Sequence, residues 1–280
     1  MNRGPGTTDD TQVRADCTVA SDGRIAFQLT ALQAPAPQLL LSVRPKKGPK
    51  GSKKANPEEN LLVLPVDGDG RAVLEPQPAL AEGRWDMYVL PEPGAPRRRI
   101  RPGFRDLRAL VDGATREWPS PVAVRVPYTT KDGFLAVRTW LRTAHAEVAG
   151  IDVTEGSIAV KARLHGADLA PGAVVRLRAR GAEGIERTVE SQIERDGRFT
   201  FALGFEELVA AGGPGSRVWD VSLRPQPGEG TPSIRIGRLL DDLADRKEVF
   251  VYPTVTVGGA AVRPYYTVDN DLSIEVTAVE

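Results

Sequence analysis

Two histidines, His145 and His165, are the first candidates for acid–base or metal chemistry in this chain. Both fall in or beside stretches of alternating polarity, so strand positions, packed or exposed, account for them. No Gly-x-Ser-x-Gly elbow accompanies them, which leaves a Ser-His-acid triad unsupported. Cys17 is the only cysteine, which excludes an intrachain disulfide and a thiolate metal cluster. Asp69, Asp132, Asp196, Asp269 and Asp271 each adjoin Gly or Asn, as turn residues do. Asp269-Asn270-Asp271 approaches the tight ligand spacing of a calcium loop and falls short of it. Neither a GxxxxGK(S/T) phosphate loop nor a GxGxxG fingerprint is present. These residues predict no catalytic group, no cofactor and no metal.

Basic residues offer more. Lys46, Lys47, Lys50, Lys53 and Lys54 crowd one short segment, and Arg97, Arg98, Arg99, Arg101, Arg105 and Arg108 crowd another. Both clusters read either as a solvated face or as a contact for a phosphate-bearing polymer or an acidic partner. Net charge is +0, so no broad field for polyanions exists, and a dedicated nucleic-acid binder is not expected.

The elements that position these residues are announced by a repeat. Trp85-Asp86 and Trp219-Asp220 each open a W-D-x4-P-x-P-G pattern, 219 − 85 = 134 residues apart. Gly23-Arg24-Ile25-Ala26 returns as Gly156-Ser157-Ile158-Ala159, and Asp69-Gly70-Arg71 as Asp196-Gly197-Arg198. The stretch from Pro127 to Leu135 returns from Pro264 to Leu272. Such ordered matches mark a tandem of two similar domains. The offset drifts at Lys46–Lys54 and at Phe205–Gly215, which places both segments in exposed loops. Two Trp-Asp copies are too few for a propeller. Trp85 and Trp219 are expected in the two cores, with a stacking platform for a sugar or base as the alternative. Strand alternation then turns Asp86 and Asp220 outward, to exposed positions.

Period-two alternation dominates. It is clear in Ile25–Thr30, Ser157–Leu164, Val174–Arg180 and Leu272–Thr277, with Asp-Gly turns between such runs. Helix is expected only at Phe205–Ala210, stopping at Gly212-Gly213, and for one turn at Leu239–Leu243. The fold class is therefore all-β, as two tandem immunoglobulin-like antiparallel sandwiches at 12–140 and 144–280, after a loose tail at 1–11. No apolar stretch is long enough to span a bilayer, and the polar N-terminus lacks a signal-peptide core, so a cytoplasmic location is expected.

One further signal lies in Ile236–Lys247, Val262–Thr267 and Asp269–Ile274. These segments resemble the non-catalytic C-terminal region of bacterial wall-polymer transferases. That group comprises the family 2 glycosyltransferases and the glycerophosphotransferases of teichoic-acid-type polymers. The resemblance covers mainly 217–280, with a weaker echo in the first repeat, and the catalytic part of such proteins has no counterpart here. It implies an accessory module, with an anionic glycan polymer or a glycosyltransferase as partner and no reaction of its own. The competing expectations are a scaffold that oligomerises or docks a transferase, and an uncharacterised transferase.

Overall fold

The computed structural model describes residues 12–30, 34–45, 61–181, 184–212, 215–228 and 230–279. The chain is mostly β and divides into two compact units, residues 1–112 with 123–141, and residues 113–122 with 142–280.

In the first unit the strands are β1 (Arg14–Val19), β2 (Ile25–Thr30), β3 (Gln38–Val43), β4 (Leu61–Pro65), β5 (Arg71–Leu74), β6 (Gly83–Leu90), β7 (Arg98–Arg99), β8 (Arg101–Asp106), β9 (Val122–Thr129) and β10 (Leu135–Arg142). A short helix α1 (Arg108–Val111) follows β8. One sheet runs β5-β2-β1-β8 and the other β4-β3-β6-β10-β9, with β7 on β6. The pairing of β8 with β1 is parallel, while β1 and β2 are antiparallel. Alternation puts Ala15, Cys17, Ile25, Phe27 and Ala72 of the first sheet against Leu39, Leu41, Trp85, Met87 and Val137 of the second, in one buried cluster. Cys17 is a small core hydrophobe there, and burial pushes its thiol up to about 11.

The second unit holds β11 (His145–Val153), β12 (Ser157–His165), β13 (Val174–Ala179), β14 (Glu186–Glu190), β15 (Gln192–Ile193), β16 (Arg198–Gly204), α2 (Phe205–Gly212), β17 (Arg217–Arg224), β18 (Ile234–Gly237), β19 (Val255–Val257), β20 (Ala260–Tyr266) and β21 (Leu272–Ala278). Its strands form a continuous sheet β15-β16-β12-β11-β18-β17-β21-β20-β19, with β13 pairing β14 and β17. Strand β18 joins the two layers, because it pairs parallel with β11 and antiparallel with β17. Val160, Phe199 and Phe201 from one layer meet Val175, Trp219, Leu223 and Ile274 from the other in a single core. Trp219 is fully buried and Trp85 is 5% exposed.

Turn bonds repeat with the sequence. Leu29 donates its backbone N–H to Gly70 O, and Leu164 donates to Gly197 O. Thr130 N–H bonds Phe134 O, and Thr267 N–H bonds Asp271 O, each closing a hairpin. The left-handed residue those hairpins require is Gly133 in one and Asn270 in the other, with φ of 81° and 61°.

Two expectations fail here. Leu239–Leu243 is an irregular loop, not a helical turn, and the backbone N–H groups of Leu239 and Leu240 bond a buried carboxylate described below. Phe205–Gly212 is helical, but Phe205 and Leu208 are fully buried, so the inserted segment is not simply an exposed loop. The amphipathic helix has found core to cover. The lysines Lys46, Lys47, Lys50, Lys53 and Lys54 and the 1–11 tail lie outside the described residues. No helix is long and apolar enough to cross a membrane among the described residues.

Gly237 sits hard against the hairpin at Asn270, where a Cβ would collide with the Asn270 carbonyl oxygen, whereas a Cβ at Gly150 meets open space. Gly237→Ala should cost about 3 kcal/mol in urea unfolding and Gly150→Ala less than about 1. Equal losses at the two positions would contradict this packing.

Candidate functional site

Outward positions on β13 alternate with its core residues, which lines up Arg176, Arg178 and, just past the strand end, Arg180 on one face. Strand β17 runs antiparallel beside it and offers Asp220, Ser222 and Arg224 to the same face, with Arg176 opposite Ser222 and Arg178 opposite Asp220. Arg235 of β18 stands opposite Ser222 on the other side. All of these except Arg224, with Ser233, Thr267, Asp269, Asp271 and Ser273, line a groove of about 480 Å³.

Its charges are largely organised in pairs. Arg180 makes a two-pronged contact to both oxygens of Asp220. Ser273 donates its hydroxyl to Asp220 Oδ1 at 3.0 Å. Arg176 makes the same two-pronged contact with Glu186 across β14. That guanidinium, with Arg224 and Arg178 farther off, holds the Glu186 carboxyl below the usual carboxylate range. Three guanidinium groups thus bear on one carboxylate. Among the described residues neither Arg178 nor Arg224 has an ion-pair partner within 4 Å. A groove that combines this surplus with several hydroxyls suits an anion that also carries hydroxyl groups.

The first unit uses an equivalent clamp differently. Arg44, one residue past β3, grips both oxygens of Asp86, at 3.2 and 2.6 Å. Asp86 also receives Arg99, whose other nitrogen bonds Asp132 at 2.6 Å. The exposure expected of Asp86 is therefore corrected, while Asp220 stays partly open. Their side chains are 14% and 38% exposed, because Asp86 is covered by Arg44 and Arg99 and Asp220 is met by Arg180 alone among the ion pairs of the described residues.

Beneath the groove lies a buried polar network. His145 and His165 face each other across β11 and β12. His145 Nε2 lies 2.8 Å from Glu147 Oε2, and its Nδ1 lies 3.2 Å from Arg142 Nη1. A guanidinium only donates, so Nδ1 accepts and the ring proton sits on Nε2, pointing at Glu147. Glu147 accepts two more bonds, from the backbone N–H groups of Leu239 and Leu240 at 2.8 and 3.2 Å. Arg142 continues to Asp271 Oδ1 at 2.8 Å, and Asp271 Oδ2 meets Arg235 in the groove at 3.4 Å. Burial pushes the Glu147 carboxyl up to about 7, against the opposing pull of the two amides. Burial and the charge of Arg163 bring His165 down to about 4. His165 Nε2 is buried without a hydrogen-bond partner. Fully buried Arg246 braces the same loop, bonding Asp241 and, at 2.6 Å, Arg238 O, while its backbone N–H reaches Asn270 Oδ1.

Four of the six arginines in the expected basic cluster at Arg97–Arg108 have partners of their own. Arg97 lies over the Tyr88 ring at 4.6 Å, and Arg99 and Arg101 lie over Phe134 at 4.2 and 4.3 Å. Arg101 also bonds Gln12 and the carbonyls of Asp132 and Gly133. Arg108 is paired with Asp106. Arg98 and Arg105 are exposed. The arginines that do converge, 176, 178, 180 and 235, stand in sequence as one strand face plus a distant partner, and only the period-two spacing of the first three signalled them. Among the described residues no group of three or more His, Cys, Asp or Glu is placed to hold a metal ion.

No protein-family model and no curated protein matches the chain. Among solved structures it is similar to S. aureus TarS, at 15% identity and a TM-score of 0.40, over 62% of this chain and 31% of that one. A structure of S. aureus TarS 217-571 gives 14% identity and a TM-score of 0.40, over 70% and 45%. A tetra-tandem repeat in the extending region of a large adhesion protein gives 11% and 0.19, over 95% and 66%. The chain spans less than half the length of either TarS structure. The chemistry of the groove, not these likenesses, carries the functional reading.

The two buried groups pull stability in opposite directions as pH falls. Glu147 binds its proton at about 7 when folded and near 4.5 when unfolded, so it adds stability between those values on acidification. His165 binds at about 4 folded and near 6.5 unfolded, so it removes stability between 6.5 and 4. Urea midpoints of His165→Gln should therefore gain on the wild type as pH drops from 7.5 to 4.5. Parallel profiles would show that His165 does not titrate as described.

Proposed function

We propose that the chain is a non-catalytic module of two immunoglobulin-like sandwiches that binds an anionic, hydroxyl-bearing polymer. The observation that carries the binding reading is the groove on the outer face of β13, β17 and β18, lined by Arg176, Arg178, Arg180 and Arg235, where Arg178 has no ion-pair partner among the described residues. Guanidinium groups match phosphate, sulfate and carboxylate geometry, and serine and threonine hydroxyls suit a polyol or glycan. Support for two copies of one sandwich comes from the corresponding strand orders β5-β2-β1-β8 and β16-β12-β11-β18, each ending in a parallel pair. The paired clamps Arg44–Asp86 and Arg180–Asp220 support it too. The link to bacterial envelope-polymer synthesis, beside a glycosyltransferase, rests on the resemblance of residues 236–247 and 262–274 to wall-polymer transferases.

A second reading, docking to a partner protein, is favoured by the exposed aliphatic side chains Val249, Val251 and Val268, at 59%, 71% and 56%. Light scattering separates it, since a strict monomer without a co-purifying protein would remove it.

Binding to dextran sulfate should be strong at low salt, weaken steeply as salt rises, and be absent for neutral dextran. Arg178→Glu should weaken it about tenfold, and Arg98→Glu less than about twofold. Salt-insensitive binding, or equal effects of the two reversals, would contradict the groove.

A further inference from the structure

We propose that proton uptake by the buried Glu147–His145 pair is coupled to anion binding in the groove, through Arg142, Asp271 and Arg235. This inference rests on the groove being an anion site.

The geometry is an unbroken chain of contacts. Glu147 Oε2 meets His145 Nε2, His145 Nδ1 meets Arg142 Nη1, Arg142 Nη2 meets Asp271 Oδ1, and Asp271 Oδ2 meets Arg235 Nη1. Its inner end is sealed, with His145 fully buried and Glu147 only 2% exposed, while its outer end lines the groove. Every position at the inner end is committed. Both Glu147 oxygens accept from N–H donors, and His145 Nδ1 accepts from a group that can only donate. An added proton therefore has no vacant acceptor to point at, and it must break one of these bonds.

The electrostatic consequence has a definite sign. The pair gains one positive charge beside Arg142. Other charges face it from each neighbouring element: His165 on β12, Arg246 and Asp241 on the loop after β18, and Arg163 and Glu117 beyond His165. Asp271 is drawn inward to Arg142, and its hold on Arg235 loosens. Arg235, whose side chain is 46% exposed, then presents more of its charge to an anion in the groove. Buried position and desolvation put the proton uptake close to neutral pH. By linkage, an anion that captures Arg235 must also favour the protonated pair.

The experiment uses the whole chain and dextran sulfate, whose sulfate esters do not titrate in the range used, so pH acts on the protein alone. Affinity is measured at pH 8 and pH 6 for wild type, Arg235→Gln and Glu147→Gln. Wild-type affinity should rise about fivefold on acidification. Arg235→Gln is a surface change, and it should bind more weakly and lose most of the pH dependence. Glu147→Gln, where it folds, should lose the dependence as well. Binding that is flat with pH in the wild type, or a slope unchanged in Arg235→Gln, overturns the coupling and leaves the groove as an anion site. No binding at either pH overturns the anion reading and the coupling with it.

Discussion

A carboxylate with no access to solvent must be surrounded by donors, and Glu147 sets that constraint for the second unit. It satisfies it with two backbone amides of the loop after β18 and one histidine. Residues 239–243 supply those amides from an irregular loop. Arg246, fully buried in the same loop, is held by Arg238 O and Asp241 and fixes the loop against the Asn270 hairpin. The hairpin in turn needs a left-handed residue at Asn270 and a glycine at 237 to approach so closely. Segments 236–247 and 262–274 are thus the parts of an architectural knot. Its outermost member, Asp271, reaches the groove.

The groove follows from the same economy. Strand alternation commits Val175, Leu177 and Ala179 to the core, so the residues between them must face outward. On β13 those residues are Arg176 and Arg178, and Arg180 follows just past its end, making three arginines. Two of the three are matched by acids on neighbouring strands, Glu186 and Asp220, and such partly exposed pairs add little stability by themselves. Their better use is positional, because a guanidinium held by one carboxylate still presents donors in a fixed direction. In the first unit the corresponding Asp86 receives two arginines, and Arg99 ties it to the neighbouring hairpin. The same clamp closes one face and leaves the other open.

Much of the fold is legible in the sequence, since alternation in Ile25–Thr30 and Ser157–Leu164 and the Asp-Gly turns each reflect a local rule. Trp85 and Trp219 are legible as core for the same reason. What is not legible depends on partners far along the chain. Asp86 looks exposed until Arg44, a strand away, is seen to cover it. His145 and Glu147 share one strand face, and a polar pair at that spacing beside core residues Ala146 and Val148 is a signal of burial on both faces. Only the loop at 239–247 reveals what buries them. In the run Arg97–Arg108, Tyr88, Phe134, Asp86 and Asp106 face Arg97, Arg99, Arg101 and Arg108, partners that a count of charges does not reveal, while Arg98 and Arg105 stay exposed.

The central claim is that the open face of the second unit, and not the arginine-rich run of the first, meets an anion. Arginine side-chain NMR of the isotope-labelled chain during titration with a short sulfated dextran oligosaccharide tests it directly. The account predicts that the Nε–H resonances of Arg176, Arg178, Arg180 and Arg235 move together and saturate at one concentration. Shifts confined to Arg97, Arg98 and Arg105, or none at saturating ligand, would contradict it.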